Sequence, residues 1–126
     1  MNKSLLVSAA VSGFLAVALG AFGAHGLKPR LSPEAMQWFE TANRYHFYHT
    51  LALLAAALLT KNKSALLNYA GFAFLLGICL FSGSLYVMAV TGIKTLGIIT
   101  PLGGAAFLAG WAMLGVNFLK QSGGES

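Results

Sequence analysis

The sequence predicts an all-α integral membrane protein, folded as an up-down four-helix bundle with an amphipathic extension before the second transmembrane helix. The first observation behind this prediction is a set of long uncharged stretches, Ser4–Leu27, Tyr45–Thr60, Ser64–Ile93 and Thr95–Leu119. About 20 apolar residues cross a ~30 Å hydrocarbon layer as a helix, and three of the four stretches reach that length. The second observation is composition, because 57% hydrophobic and 9% charged residues with a mean hydropathy of +0.73 leave too little polar surface for a soluble protein of 126 residues.

The first transmembrane helix is expected over about residues 5–24. Gly26 is expected to end it in a left-handed conformation, and Pro29 prevents the helix from continuing. We do not expect this stretch to be a secretory signal peptide. Its apolar run is longer than the roughly 7–15 residues of a signal core, and three further apolar stretches follow it.

The second helix is expected to begin outside the membrane and to cross it over about residues 45–60. Ser32 is suited to cap it, with Pro33 at the first helical position, where a missing N–H costs nothing. Glu40 and Arg44 have the i, i+4 spacing of an ion pair. Residues at three- and four-residue spacing predict one buried face. This face consists of Ala35, Phe39, Ala42, His46, His49 and Leu53.

The third helix is expected over about residues 65–91. A short polar turn at residues 61–64 precedes it, so the second and third helices should be antiparallel neighbours. Gly92 and Lys94 are expected to end the third helix.

The fourth helix is expected over about residues 100–119, with Thr100 as its cap and Pro101 at its first position. Residues 93–99 then form a connector at the membrane interface. The four spans make a single transmembrane domain that covers residues 1–126.

An even number of spans places both termini on the same side of the membrane. The distribution of cations does not decide which side, because Lys3, Lys61, Lys63 and Lys120 lie on one side and four other cations lie on the opposite side. We expect cytoplasmic termini, since Arg44 can be drawn into the membrane boundary and then reduces the opposing count.

Small residues predict close packing between helices. Lipid tails are as apolar as leucine, so membrane helices associate through close backbone approach. A ladder of small residues at four-residue spacing runs down the first helix, and glycines on the third and fourth helices offer further contacts. The candidate packing residues are Ser8, Ser12, Ala16, Gly20, Ala24, Gly83, Gly104 and Gly110. The pattern leaves open whether the contacts form within one chain or between copies.

Up-down threading places a group of polar residues at one level, near the membrane boundary opposite the termini. This candidate polar layer consists of His25, His46, His49, Ser82, Ser84, Tyr86, Glu40 and Arg44. Its serines either line a water-filled path or bond carbonyl groups in their own helix. Tyr86 either anchors at the interface or bonds a neighbouring helix. Trp111 lies about ten residues into the fourth helix, so its N–H requires a partner inside the bundle.

Three alternatives stay open for His25, His46 and His49. They are a zinc or haem site, a proton or ion relay, and hydrogen-bonded structural histidines. The sequence favours the structural interpretation, because His25 lies in a loop and Glu40 is the only acidic residue close to the other two. No metal or other cofactor is therefore expected.

The residue inventory argues against an enzyme and against a nucleic-acid-binding protein. The chain has no Asp, and Glu34, Glu40 and Glu125 provide no carboxylate pair within the membrane. Cys79, the single cysteine, lies among apolar residues that disfavour a thiolate. The net charge of +5 comes from cations placed singly or in pairs at the edges of apolar runs, as interfacial anchors are.

Four motifs carry a resemblance to a known family. They are GAFGAHGL at Gly20–Leu27, YHFYHTLAL at Tyr45–Leu53, FSGSLY at Phe81–Tyr86, and TPLGG at Thr100–Gly104 followed by Gly110 and Trp111. In these segments, and almost from end to end, the chain resembles the small bacterial inner-membrane proteins of the YgdD/YwdK type. That family has eukaryotic relatives, the transmembrane protein 256 group. The resemblance implies four transmembrane helices and a plasma-membrane location, and it supplies no reaction or catalytic residue.

The leading hypothesis is a non-enzymatic membrane protein whose helix packing, within the lipid bilayer and with itself or other membrane proteins, serves membrane or envelope integrity. One alternative is a small channel or transporter component that uses the histidine and serine residues as its path. The other is metal or haem binding at the three histidines.

Overall fold

A computed structural model describes residues 2–60 and 64–124, and the last four of these by their backbone alone. The described residues form helices and contain no strand. Helix α1, Lys3–Phe22, continues into a π-helical turn, Gly23–Leu27. Helix α2 is Pro33–Leu59, helix α3 extends over Ala65–Thr91, and helix α4 is Thr100–Gly124. The predicted polar turn at Lys61, Asn62 and Lys63 lies outside the described residues.

The end of α1 differs from the sequence prediction. The prediction of a left-handed Gly26 is wrong, because this glycine lies within the π-helical turn and the only described glycine with a positive φ is Gly92. The helical conformation extends to Leu27, and the chain turns at Pro29, which cannot continue a helix. Gly92, with φ of 74°, ends α3, as predicted for that position.

The start and the buried face of α2 confirm their predictions. Ser32 Oγ accepts a hydrogen bond from the Ala35 N–H at 3.1 Å, and Pro33 occupies the first turn. All six residues of the predicted inner face are buried. The predicted ion pair between Glu40 and Arg44 is wrong. Arg44 donates weakly to Thr41 at 3.5 Å instead.

The one ion pair among the described residues joins Lys94 to Glu34 at 3.4 Å. It links the connector before α4 to the first turn of α2. Both side chains are more than half exposed, and exposed pairs of this kind stabilise a protein by less than about 1 kcal/mol.

Helix α3 is interrupted, whereas the connector that follows it has the predicted position. A π-helical turn at Ile78–Ser82 separates α-helical segments at Ala65–Gly77 and Gly83–Thr91. A short 3-10 helix, Lys94–Ile98, then leads to α4, which begins at Thr100 as predicted.

The four helices pack in the order of the chain. Helix α1 packs mainly on α2, α2 packs on α3, and α3 packs on α4. The largest core cluster consists almost entirely of leucine and alanine, and we call it the dry layer. The dry layer consists of Leu5, Ala9, Ala52, Leu53, Ala56, Ala57, Leu67, Ala70, Phe74 and Leu114.

Polar side chains close one end of the fold, beyond the dry layer. The Asn2 backbone N–H donates to Thr60 Oγ1 at 2.6 Å, and its side-chain amide donates to Asn68 Oδ1 at 2.7 Å. Ser64 Oγ donates to Asn117 Oδ1 at 2.6 Å. The beginning of α1, the end of α2, the beginning of α3 and the C-terminal part of α4 therefore meet at this end.

Three helical segments of the described chain are long and apolar enough to cross a membrane. They are Lys3–Leu27, Ala65–Thr91 and Lys94–Lys120, with mean hydropathies of 2.2, 2.1 and 1.6. Large apolar side chains such as Phe14 and Leu108 are more than 70% exposed on their outer faces, as lipid-facing residues are. Helix α2 has the length of a span but carries histidine, asparagine and charged residues, so its hydropathy is lower.

Candidate functional site

Buried or half-buried polar side chains from all four helices meet next to the dry layer. We call this group the histidine layer. It consists of Ser12, Asn43, His46, His49, Thr50, Ser82, Ser84, Tyr86, Thr100 and Trp111. Every helix contributes at least one of these residues, because α2 passes between α1 and α3 with its polar residues on its inner face.

His46 connects α2 to both of its neighbours. Its Nε2 lies 3.0 Å from Ser12 Oγ on α1, and its Nδ1 lies 2.9 Å from the Tyr86 hydroxyl on α3. Ser12 in turn bonds Thr50 at 2.6 Å. The imidazole is 4% exposed, so its two ring nitrogens are satisfied by protein groups rather than by solvent.

Asn43 extends the same chain of hydrogen bonds. Its side-chain amide donates to the Ala16 carbonyl at 2.9 Å and to the Tyr86 hydroxyl at 3.0 Å. Both ring nitrogens of His46 have a suitable partner when the Tyr86 hydroxyl donates to Nδ1 and Nε2 donates to Ser12 Oγ. The prediction that Tyr86 either anchors or bonds a neighbouring helix is thereby resolved in favour of a bond to α2.

His49 forms a second, separate arrangement, which connects α2 to α4. Its Nδ1 lies 2.8 Å from the Tyr45 carbonyl, which can only accept, so Nδ1 carries the proton. Its Nε2 accepts from Trp111 Nε1 at 3.0 Å, which confirms the predicted need for a partner of the Trp111 N–H. The ring is also stacked on Phe107, with centroids 3.5 Å apart. These contacts specify the neutral imidazole with a proton on Nδ1 only.

The three histidines do not converge. His46 faces α1 and α3, His49 faces α4, and His25 is exposed on the π-helical turn after α1. No group of three His, Cys, Asp or Glu within residues 2–60 and 64–124 has the geometry of a metal site. A ligand at either buried ring would also have to displace an existing hydrogen bond.

The two serines differ in their hydrogen bonds. Ser82 Oγ donates across to the Ala42 carbonyl of α2 at 2.8 Å, rather than to its own helix. Ser84 Oγ bonds the Phe81 carbonyl in its own helix at 3.0 Å and Thr100 of α4 at 2.6 Å. Both hydroxyls therefore hold helices together.

The predicted small-residue ladder of α1 follows the contact with α2 only in its middle. Ser12 and Ala16 are buried, Ser8 and Gly20 are half-buried, and Ala24 is exposed. A step of four residues turns a helix by about 40° more than one full turn, so four such steps rotate the ladder by roughly 160°. The buried residues of α1 instead alternate between steps of three and four, and include Leu5, Ala9, Ser12 and Ala16.

Only one of the three predicted glycines on α3 and α4 makes a close contact. A Cβ built on Gly110 lies 2.6 Å from the Phe74 ring, whereas the nearest atom at Gly83 or Gly104 lies 3.9 Å away. Among the described glycines the tightest contact is at Gly103, where a Cβ would overlap the backbone of Phe81. A strict four-residue spacing does not select Gly103.

A mixed spacing would have identified it. Steps of four and three residues along α4 select a row of residues that are all buried. This row is Gly103, Phe107, Gly110, Leu114 and Asn117.

Glu40 and Arg44 lie outside the histidine layer. Both are exposed, and with Lys28 they line an open cleft of about 500 Å³ between the end of α1 and the beginning of α2. Their prediction as members of the buried polar layer is wrong, because their positions on α2 face away from α3 and towards this cleft.

The family model described as "Protein of unknown function (DUF423)" matches residues 19–104. A "UPF0382 membrane protein" of Staphylococcus epidermidis is 43% identical over 121 residues, covering 96% of this chain and 99% of the relative. YwdK of Bacillus subtilis, a UPF0382 membrane protein, is 44% identical, covering 94% of this chain and 98% of the relative. YgdD of Escherichia coli K12, a UPF0382 inner membrane protein, is 42% identical, covering 97% and 95%. No solved structure matches significantly.

The three relatives match nearly the whole chain. They are named as membrane proteins, in agreement with the three apolar helical segments. The resemblance noted from the four motifs is thereby confirmed. This membrane protein belongs to the DUF423 (UPF0382) family of unknown function.

Proposed function

We propose that this protein is a non-enzymatic, helix-packing component of the plasma (inner) membrane, with a structural or accessory role in membrane or envelope integrity. The observation that carries the proposal is that the polar groups of the histidine layer bond to one another and to the backbone. The ring nitrogens of His46 and His49 and the hydroxyls of Ser82 and Ser84 are all engaged in hydrogen bonds within the protein. Groups in this state stabilise a fold and are not available to a substrate.

The proposed topology is an up-down bundle that crosses the membrane four times with cytoplasmic termini. The hydrogen bonds of Asn2 to Thr60 and Asn68, and of Ser64 to Asn117, support it, because they place alternating helix ends together. The name of the Escherichia coli relative supports the inner membrane as the location. Reporter fusions at both termini test the topology, and reporters in opposite compartments would contradict it.

Self-association is proposed through the outer face of α4. Small residues lie exposed there at three- and four-residue spacing, so that a second helix can approach the backbone closely. These residues are Ala105, Ala109, Ala112 and Gly115.

Native mass spectrometry in mild detergent tests the packing role and the self-association separately. Gly20→Leu is expected to disturb the fold within one chain, because a Cβ at this position lies 2.9 Å from Asn43 Oδ1. Ala109→Leu is expected to leave the fold intact and to shift the oligomer towards monomer. Unchanged folding of the first variant or unchanged assembly of the second contradicts the corresponding proposal.

One observation favours a second candidate function, a channel or transporter component. Hydrogen bonds run without a break from Thr50 through Ser12, His46 and Tyr86 to Asn43. The dry layer lies beyond Thr50 and consists of apolar residues, so the row of hydrogen bonds does not continue through it. Proton flux into liposomes decides between the functions. A flux that His46→Ala abolishes and His25→Ala preserves supports transport, and no flux above protein-free liposomes supports the packing role.

The third candidate function, metal or haem binding, is tested by metal analysis and an absorption spectrum of the purified protein. Stoichiometric metal or a haem band that is lost in His49→Ala would contradict the packing role of that histidine. Trp111→Phe serves as the matched variant, because it removes the observed hydrogen bond to His49 without removing the imidazole.

A further inference from the structure

The open cleft between α1 and α2 is a feature that the packing function leaves unexplained. Its volume is about 500 Å³, and it adjoins the histidine layer at Asn43, which lines the cleft. Small residues of α1 form one wall, Gly20, Gly23 and Ala24. These small residues allow α2 to approach closely, because a Cβ on Gly23 would overlap the Phe39 ring and one on Gly20 would lie 2.9 Å from Asn43 Oδ1.

The opposite wall is formed by α2 and is mixed. Phe39 is buried at the base of the cleft, and Met36 and Phe47 are half-buried along it. Residues 36 and 47 are eleven positions apart on α2, which is about 16 Å at about 1.5 Å per residue, and Asn43 and two charged residues line the cleft between them. The apolar side chains of this wall can contact part of an acyl chain.

The opening of the cleft is charged. Lys28 and Arg44 are exposed there, together with Glu40. In the described part of the chain neither cation forms an ion pair, since the one pair joins Lys94 to Glu34. Two cations and one carboxylate leave the opening with a net charge of +1.

The cleft lies at the level where lipid head groups are expected. It lies where the apolar segment Lys3–Leu27, which is long enough to cross a membrane, ends and is followed by Lys28. Cations at this level meet lipid head groups, and basic pockets between membrane helices bind phosphate-containing head groups.

We propose that this cleft binds an anionic phospholipid, with its phosphate diester between Lys28 and Arg44 and an acyl chain along Met36, Phe39 and Phe47. A net charge of −1 on the lipid balances the net charge of the opening. A zwitterionic phospholipid leaves that charge unbalanced, and inorganic phosphate makes no use of the apolar side chains that line the cleft. In this arrangement Glu40 weakens binding, because its carboxylate faces the same head group.

Lipid titration of the detergent-solubilised full chain, followed by native mass spectrometry, tests the proposal. The probes are phosphatidylglycerol and phosphatidylethanolamine with identical acyl chains. Wild type is expected to prefer phosphatidylglycerol. Lys28→Gln and Arg44→Gln are each expected to weaken its binding about five-fold, since one cation near a phosphate contributes about 1 kcal/mol. Glu40→Gln is expected to strengthen binding of phosphatidylglycerol.

Arg30→Gln is the matched control. It removes the same charge two residues from Lys28, from an exposed side chain that does not line the cleft, and is expected to change binding less than two-fold. A thermal unfolding profile for each variant verifies the fold, which should be unaffected because all of these side chains are exposed.

Three results would overturn the proposal. The first is equal weakening by Arg30→Gln and by the two cleft variants, which would indicate a general effect of charge. The second is equal binding of the two phospholipids, or weaker phosphatidylethanolamine binding in Glu40→Gln, which would indicate a zwitterionic occupant. The third is displacement of the lipid by millimolar sodium phosphate, which would indicate an inorganic anion site.

Discussion

The side chains of the dry layer are all buried, whereas those of the histidine layer are only partly so, and different interactions hold the helices together in each. In the dry layer Leu5, Leu53, Leu67 and Phe74 are fully buried and belong to one cluster of apolar side chains. In the histidine layer His46 is 4% exposed and forms hydrogen bonds to two neighbouring helices.

The difference shows how a small membrane protein obtains both contact and register. In lipid, burying a leucine against another helix removes little apolar surface from water, so the dry layer depends on close van der Waals packing. Hydrogen bonds between helices are directional and hold only in one alignment. The dry layer therefore provides tight contact, and the histidine layer specifies how far each helix slides along its neighbour.

The largest effect is expected where the backbones of α3 and α4 approach each other closely, at Gly103 and Phe81. Gly103→Ala places a Cβ on the Phe81 backbone and is expected to lower the free energy of unfolding by about 3 kcal/mol, the upper end for overpacking. Unfolding in mixed micelles, followed by Trp111 fluorescence, measures it. Gly115→Ala on the same helix has no atom within 4 Å of its Cβ, so its stability should stay within about 0.5 kcal/mol of wild type. Equal effects would contradict close packing at Gly103.

Removing packing from the dry layer is expected to have the next largest effect. Leu53→Ala leaves a cavity beside Leu5 and Leu67 and should destabilise the protein by about 2 kcal/mol, the lower end for leucine truncation because the transfer term is small in lipid. The same unfolding assay applies. Leu51→Ala is the control, since this side chain is 63% exposed on the same helix. A similar loss in both variants would place the stabilisation outside the dry layer.

In the histidine layer, removing one hydroxyl is expected to have a smaller effect. Tyr86→Phe deletes the group that bonds both His46 and Asn43 and should destabilise the protein by about 1 kcal/mol. Tyr69→Phe, on the same helix and 61% exposed, should leave stability unchanged. If Tyr86→Phe is as stable as wild type, these hydrogen bonds of the histidine layer contribute no stability, and the proposed difference between the two layers is contradicted.

The smallest effect is expected at the separate arrangement around His49. Trp111→Phe keeps an aromatic ring but removes the donor to Nε2, and should cost about 0.6 kcal/mol, an average value for hydrogen bonds between membrane helices. Nitrogen NMR of the histidine rings provides the sharper measurement. The His49 tautomer protonated on Nδ1 should dominate in wild type, and the Nε2 resonance should move in the variant while His46 resonances do not. Wild-type protonation on Nε2 would contradict the assignment.

The sequence predicted much of the fold because its signals are local. Uncharged length identified three helical segments that are long and apolar enough to cross a membrane, Ser32 and Pro33 marked the start of α2, and Gly92 marked the end of α3. The same holds for the inner face of α2, whose three- and four-residue spacing is a property of one helix alone. Four-residue ladders were less reliable, because they drift around a helix and led to Ala24 and Gly104 rather than to Gly103.

By itself the sequence determined a membrane-embedded, all-helical chain with His46 and His49 on the inner face of α2, since hydrophobicity and helical periodicity act within one segment. Only the tertiary structure decided which residues meet. It separated His46 from His49, left His25 exposed, and turned Glu40 and Arg44 outward to a cleft. The physical reason is that partners across helices depend on the rotation and axial offset of two helices, which no spacing within either one records.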